Sequence, residues 1–261
     1  MKMIHSTTAH SMTYVRIVVL FLVSLGLVWF VPTAPPRLTD FFYSHAFNLG
    51  VLYAITIGFL MSLTLSRRQL IEEYIALELN KIRRLYHLAY HLRKAQPKLD
   101  AWFKRLHKEI EAYLHSFRKI SFGEYERGNL LFRKATYTVY ELPSLGIAYN
   151  QDLYGALLDA ASTATEAREF IRSKKDHHIG RFQWLVTVII TITFCVTIAV
   201  FTPSDLWTRI TSLFAIFCVF LTLQLVFEYD RSNERKHRYI AKLYVSNYDF
   251  IKHPERPEIE P

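Results

Sequence analysis

Few side chains of this 261-residue chain stand at spacings that could do chemistry. His87 and His91 lie one helical turn apart, as two metal ligands would, but no Cys, Asp or Glu completes a ligand set at a usable spacing. The sequence contains no Gly-x-Ser-x-Gly, no glycine-rich phosphate loop and no His-Glu-x-x-His. We therefore expect no catalytic residues, no metal and no cofactor.

Glu78 is the more unusual residue, because it stands between Ile75 and Ile82 where the apolar pattern of its segment predicts another hydrophobic side chain. A carboxylate in such a cytoplasmic seam needs a cation, either Arg83, Arg84 or one from another helix, because its burial alone is costly. The alternative is that Glu78 lies at the edge of the seam and reaches water. The sequence leaves both alternatives open.

Three large apolar residues, Ile55, Phe59 and Leu63, recur at four-residue intervals just before Arg67 and Arg68. In a ring of such helices they would line a narrow apolar neck of the kind that gates by dewetting. The alternative is that they face lipid or a neighbouring helix. Arg67 and Arg68, which follow this segment, are predicted to mark the cytoplasmic pore mouth or to contact lipid headgroups.

A stripe of small residues runs along the same segment, also at four-residue intervals, formed by Gly50, Ala54, Gly58 and Ser62. Small side chains let two helix backbones approach closely within a membrane. The stripe therefore predicts a helix-packing face.

The elements that carry these residues are apolar and long. Four stretches contain no Asp, Glu, Lys or Arg, namely 17–36, 41–66, 182–204 and 210–227. A helix needs roughly 20 apolar residues to cross a bilayer. We therefore predict an all-α polytopic membrane protein with spans at about 15–32, 48–66, 183–201 and 209–227, and exclude a soluble enzyme, a secreted disulfide scaffold and a disordered chain. The first span also has the shape of a signal peptide, but Trp29 and Phe30 favour a retained helix.

The basic residues predict the orientation, because positive loops stay on the cytoplasmic side. Of the 32 Lys and Arg residues, 21 lie within 67–181 and 7 follow Glu228. We therefore expect a bacterial inner-membrane protein with both termini cytoplasmic. The net charge of +9 is explained by topology and by contact with anionic membrane lipids, and we expect no nucleic acid as a partner.

The predicted organisation has four parts: an N-terminal pair of spans at 1–66, a cytoplasmic helical region at 67–181, a second pair of spans at 182–227, and a cytoplasmic tail at 228–261. Within the cytoplasmic region, one helix continues from the second span to Pro97, and a second covers about 99–117. A short helix or a docked loop is predicted at 124–140, and a helix with a small-residue face at 150–171. The end of the tail, 254–261, is predicted to be disordered.

Local motifs support a family resemblance. Three stretches carry it: Gly50-Val51-Leu52-Tyr53-Ala54, Gly58-Phe59-Leu60 and Leu85-Tyr86-His87-Leu88-Ala89. Two further features are Glu78 and the exit from the last span, Glu228-Tyr229-Asp230-Arg231. Together these features resemble bacterial bestrophin-like membrane proteins. The resemblance implies a pentameric channel for small ions, with Ile55, Phe59 and Leu63 as its neck. The chain departs from true bestrophins at Ser66-Arg67-Arg68-Gln69 and in lacking an acidic calcium-clasp run after the fourth span.

Two other classes share this topology. A stator-like subunit of an ion-driven complex has a cytoplasmic block between its second and third spans, but such subunits usually carry Pro in the later spans, and 182–201 and 210–227 contain none. A non-conducting scaffold or sensor would use the basic helical layer to bind a protein or anionic lipid.

Overall fold

The computed structural model describes residues 4–143, 149–231 and 234–252, with side chains at 14–35, 47–143, 152–231, 239–249 and 251. All regular secondary structure in this described part is helical, so the predicted all-α class is confirmed. The α-helices are α1 (Ile4–Phe30), α2 (Pro36–Ala95), α3 (Asp100–Ser116), α4 (Asn129–Tyr140), α5 (Tyr149–Lys175), α6 (Arg181–Phe201), α7 (Leu206–Asp230) and α8 (Glu234–Lys252). The predicted disorder at 254–261 lies outside the described residues.

The chain divides into two compact units. The first, which we call the span unit, consists of residues 1–65 and 178–231. The second, which we call the layer unit, consists of residues 66–177 and 232–261. The long helix α2 contributes to both, as expected from a second span that continues without Gly or Pro to Gln96.

The span unit contains the apolar helices. Three helices of the described part are long and apolar enough to cross a membrane: α6, α7 and the described portion of α2 from Phe47 onward. In α1 the corresponding apolar stretch, Tyr14–Phe30, is shorter, so the first span, at about 15–32, remains a prediction. α2 begins at Pro36, ahead of the span predicted at about 48–66, and proline is well suited to the first turn of a helix. The bounds of that span stay a prediction.

Several polar side chains of the span unit form hydrogen bonds within it, which favours their placement in a hydrocarbon solvent. The Tyr53 hydroxyl donates to the Val219 carbonyl at 2.9 Å, and its ring stacks on Phe194 at a centroid distance of 5.4 Å. Buried threonines, including Thr187 and Thr191, donate to the carbonyl one turn earlier in their own helix. These internal bonds let polar residues occupy apolar helices at little cost.

The layer unit packs part of α2, together with α3, α4, α5 and α8, around one hydrophobic core. α3 is strongly amphipathic and buries Trp102, Phe103, Leu106, Ile110, Tyr113 and Leu114. α5 buries a face of small side chains formed by Ala160, Ala161, Ala164 and Ala167, which lets its neighbours approach closely. The segment predicted as a helix over 124–140 consists of a 3₁₀ helix, Phe122–Gly128, followed by α4.

Candidate functional site

The predicted neck residues lie on a face of α2 that its own protomer leaves uncovered. The exposed fractions are 66% for Ile55, 60% for Phe59 and 42% for Leu63. Their neighbours Ile57 and Leu60, by contrast, are buried in the core of the span unit. The exposed face therefore needs lipid or another molecule to cover it, and the neck role of the three residues stays a prediction.

The small-residue stripe packs within the protomer at only one of its four positions. A Cβ atom added to Gly50 would lie 3.3 Å from the Phe194 ring, so Gly50 lets α6 approach α2. A Cβ added to Gly58 would meet nothing within 4 Å, and Ala54 and Ser62 are exposed. Three positions of the stripe thus stay accessible for another helix.

The two arginines after the neck segment are half-buried. The Arg68 Nε atom donates to the Glu72 carboxylate at 3.1 Å, one helical turn away. This pair is partly exposed, so it contributes little to stability. The roles of Arg67 and Arg68 at a pore mouth or against lipid remain predictions.

Glu78 is fully buried in the layer unit, where its carboxylate accepts hydrogen bonds from four side chains. Tyr113 donates to Oε1, and Tyr125 donates to Oε2. Tyr244 also donates to Oε2, at 2.9 Å, and Arg168 Nη1 lies 3.5 Å from Oε1. Both carboxylate oxygens of Glu78 therefore have hydrogen-bond partners, as a buried polar group requires.

Arg168 supplies the cation, and it comes from another helix rather than from Arg83 or Arg84. The side chain is 3% exposed, and its Nη1 donates to the Tyr113 hydroxyl at 2.5 Å while its Nη2 donates to the Tyr125 carbonyl at 3.1 Å. Arg83 instead donates to Asn247 at 2.9 Å. Glu78 and Arg168 therefore form a buried pair of opposite charge type, and both also bond to tyrosines.

The guanidinium of Arg168 is also enclosed by aromatic rings. It lies 4.3 Å from the centroid of Tyr125, 4.9 Å from that of Phe132 and 5.1 Å from that of Tyr113. A Cβ added at Gly128 would come within 3.4 Å of both Arg168 Nη2 and the Tyr113 ring, so a glycine gives the cation room there. Rings and hydrogen bonds together fix the guanidinium in one orientation.

The tyrosines of this cluster keep their protons. Burial, followed by the negative charge of Glu78, raises the pKa of Tyr113, of Tyr125 and of Tyr244 well above the usual value of 10.0. The three phenols therefore act as hydrogen-bond donors throughout the physiological range. The cluster holds together α2, α3, the 3₁₀ helix, α5 and α8, so its arrangement is structural and offers no open site to a ligand.

Sequence reasoning identified Glu78 but missed Arg168, Tyr125 and Tyr244. A signal for Arg168 was present, because Leu157, Ala161, Ala164, Arg168 and Ile171 share one face of α5 at alternating four- and three-residue intervals. Arg168 interrupts the apolar face of α5, just as Glu78 interrupts the apolar face of α2. Two opposite charges, each misplaced in an apolar face, are candidates for a mutual pair.

A second buried carboxylate, Asp230, lies at the end of α7 in the span unit. It accepts from the Ile179 backbone N–H at 2.9 Å and from the Trp184 indole N–H at 3.2 Å. His178 Nδ1 lies 2.9 Å from the Asp230 carbonyl oxygen. Asp230 thus ties the segment before α6 to the end of α7. Among the described residues, no group of three or more His, Cys, Asp or Glu side chains could hold a metal ion.

Comparison with known proteins identifies the family. The profile of a family described as Bestrophin-like domain matches residues 18–232. A search of curated proteins finds no match. Among solved structures, a variant of a bacterial bestrophin homologue from Klebsiella pneumoniae aligns with a TM-score of 0.65 and 14% identity, covering 92% of this chain and 98% of the other. A variant of a membrane protein aligns with a TM-score of 0.67 and 14% identity, covering 90% of this chain and 98% of the other. These two likenesses describe the fold.

Proposed function

Because the chain belongs to the Bestrophin-like family, we propose that it forms a homo-oligomeric ion channel whose pore is lined by α2. A ring of five subunits is favoured, as the family resemblance implies. The neck consists of Ile55, Phe59 and Leu63 from each subunit. The permeating species are small inorganic ions.

The observation that carries this proposal is the uncovered apolar face of α2. Three large side chains at four-residue spacing are 42–66% exposed in the single protomer, whereas Tyr53, Ile57 and Leu60 of the same helix are buried in the core of the span unit. A closed ring of subunits would bring this face to a common axis, because cyclic symmetry places the same surface of every copy around one line. Apolar rings of this kind block ions by expelling water from the constriction.

The small-residue stripe supports the subunit contact. Ala54, Gly58 and Ser62 are exposed in the protomer and lie on the flank of the neck face, where the neighbouring copy of α2 would pack. Gly50 is the exception, because it packs on Phe194 within its own chain. The stripe would therefore serve two contacts, one inside the subunit and one between subunits.

The remaining predictions belong to this proposal. Arg67 and Arg68 stand at the cytoplasmic mouth or contact lipid headgroups, and membrane lipids surround the spans. The basic excess within 67–181 supports an inner-membrane location with both termini in the cytoplasm. The Glu78 seam carboxylate acts as a rigid centre of the cytoplasmic layer.

The test has two stages. Native mass spectrometry of the solubilised protein gives the number of subunits, and a five-fold ring is expected. Ion flux from liposomes is then compared for the parent and for the double variant Phe59→Ala/Leu63→Ala. A wider neck should raise the leak several-fold, because removal of both side chains leaves room for water to enter the constriction.

A matched control keeps the test specific. Ile192 is as exposed as the neck residues but lies on α6, so Ile192→Ala should leave the flux unchanged. Equal flux from the parent and the double variant, in rings of the same size, would remove the neck assignment. A protein that conducts nothing and holds a stable soluble partner would instead be a scaffold or sensor.

A further inference from the structure

The short helix α4 has an outer face that the described residues of its protomer leave uncovered. Leu130 is 65% exposed and Tyr137 is 60% exposed, and these two residues lie seven positions apart on one side of the helix. Arg133 and Lys134, also exposed, stand midway between them. The opposite side of α4 is buried in the core of the layer unit through Phe132, Ala135, Thr136 and Val139.

The two cations of this face have no counter-charge in the part of the chain that the structure describes. Among the described residues, no carboxylate pairs with the side chain of Arg133 or with that of Lys134. The nearby acidic residue Glu141 is already paired with Arg105. An aromatic and an aliphatic side chain beside an unpaired arginine are typical of the centre of a protein–protein interface.

The outer face of α5 has the complementary pattern. Acidic and small residues alternate there at three- and four-residue intervals, in the series Asp152, Gly155, Asp159, Ser162 and Glu166, all exposed. A Cβ added at Gly155 would meet nothing within 4 Å, so the surface is open at that point.

The acidic series is only partly neutralised within the protomer. Asp159 is paired with Lys81 at 3.3 Å but remains 60% exposed. Glu166 accepts only from the Ser162 hydroxyl, at 3.4 Å, and in the described part of the chain neither Asp152 nor Glu166 has a cationic partner.

The two faces match in spacing as well as in charge. Leu130 and Tyr137 are seven residues apart, as are the small residues Gly155 and Ser162, and seven residues of helix rise about 10.5 Å. The basic pair of α4 lies midway along its face, and Asp159 lies midway between the two small residues. Leu130 and Tyr137 can therefore pack on Gly155 and Ser162 while the basic pair of α4 contacts Asp159. This match holds whether the two helices run parallel or antiparallel.

We propose that the outer face of α4 in one subunit docks on the outer face of α5 in the next subunit. The proposal rests on the homo-oligomer proposed above and specifies which surfaces its cytoplasmic helices use. Because the two faces differ, the contact is of the head-to-tail type that closes into rings. An anionic membrane surface would neutralise α4 alone, whereas a second copy neutralises the α4 and α5 faces together.

Disulfide cross-linking of the full-length protein in nanodiscs tests the contact. The double variant Lys134→Cys/Asp159→Cys carries one thiol on each face, and mild oxidation should produce a ladder of species reaching the full ring on a non-reducing gel. A head-to-tail contact gives such a ladder because each subunit is linked on both sides. The parent, with its own Cys195 and Cys218, sets the background.

The matched control pairs the same acidic position with a cation outside the proposed face. Lys104 is 73% exposed on α3, so Lys104→Cys/Asp159→Cys should give no ladder. Charge reversal supplies a second readout. Lys134→Glu should weaken subunit association by about tenfold, the scale of one interfacial charge pair, and Asp159→Lys in the same chain should restore it.

The remaining outcomes of the cross-linking experiment separate this interface from the channel proposal. An intact ring without a ladder overturns this interface but leaves the channel proposal standing, whereas a monomer overturns both. A third outcome combines an intact ring, no ladder from the double cysteine variant, and bound phosphatidylglycerol in native mass spectra of the parent that is lost in Lys134→Glu. In that case the α4 face binds lipid headgroups and the proposed contact is wrong.

Discussion

Arg168 Nη1 lies 3.5 Å from Glu78 Oε1, although the two residues are 90 positions apart, and both side chains are almost completely buried. The pair also forms hydrogen bonds with Tyr113, Tyr125 and Tyr244. Burial of two charges is costly, so such a pair is tolerated only when its geometry and its additional hydrogen bonds compensate for the lost water. The layer unit is built around this arrangement, and its stability should depend on both partners.

Removing one partner of this pair should destabilise the protein strongly. Glu78→Gln leaves the Arg168 charge buried without a counter-ion, and we expect a loss of about 3–5 kcal/mol in the free energy of unfolding, measured by thermal or denaturant unfolding. The control is Glu169→Gln, whose exposed pair with Arg172 should contribute less than about 1 kcal/mol. Equal effects of the two variants would contradict the assigned role of Glu78.

The buried phenols predict a loss of stability at alkaline pH. In the unfolded chain a phenol loses its proton near pH 10, whereas burial and Glu78 raise the pKa of Tyr113, Tyr125 and Tyr244 in the folded protein. Their contribution is therefore fully present below pH 10 and is lost as the pH rises above it, because the unfolded state then binds fewer protons. The free energy of unfolding, measured at increasing pH, should decrease more steeply above pH 10 for the parent than for Tyr244→Phe. Tyr239→Phe, at an exposed position, should follow the parent.

Two glycines of one stripe should respond differently to a larger side chain. Gly50→Leu pushes a side chain into the Phe194 ring, which should cost about 1–3 kcal/mol of protomer stability. Gly58→Leu enters open space within the protomer, so protomer stability should stay within about 0.5 kcal/mol of the parent. If Gly58 packs between subunits, its variant should instead shift the oligomer to smaller species in size-exclusion chromatography. A Gly58→Leu ring of unchanged size would speak against the intersubunit role of the stripe.

Asp230 should be necessary for the junction before α6. Asp230→Ala leaves the Ile179 N–H and the Trp184 indole N–H without their acceptor, and each unsatisfied group costs about 1–3 kcal/mol. We expect lower thermal stability and a change in tryptophan fluorescence from Trp184. The comparison variant is Asp249→Ala, because that residue forms an exposed pair with Arg118. A fluorescence spectrum identical to that of the parent would contradict the Trp184 contact.

The fold class follows directly from the sequence, because the solvent of a membrane imposes a simple rule. Four stretches free of charge, with basic residues concentrated outside them, predict long helices regardless of how these pack. The continuation of α2 to Ala95 and the amphipathic α3 were predicted for the same reason, since helical periodicity is a local property. The 3₁₀ helix at Phe122–Gly128 was not predicted, because glycines and aromatic residues there give no regular period.

The sequence by itself also determined that Glu78 is anomalous, since a carboxylate interrupts an apolar series on one helix. Only the tertiary structure decided what Glu78 meets, because its partners lie 35, 47, 90 and 166 residues away. Periodicity states which face of a helix is buried, but the choice of neighbour depends on how separate helices pack. The same reason separates Gly50 from Gly58, which are equivalent in the sequence pattern and differ only in whether Phe194 lies opposite.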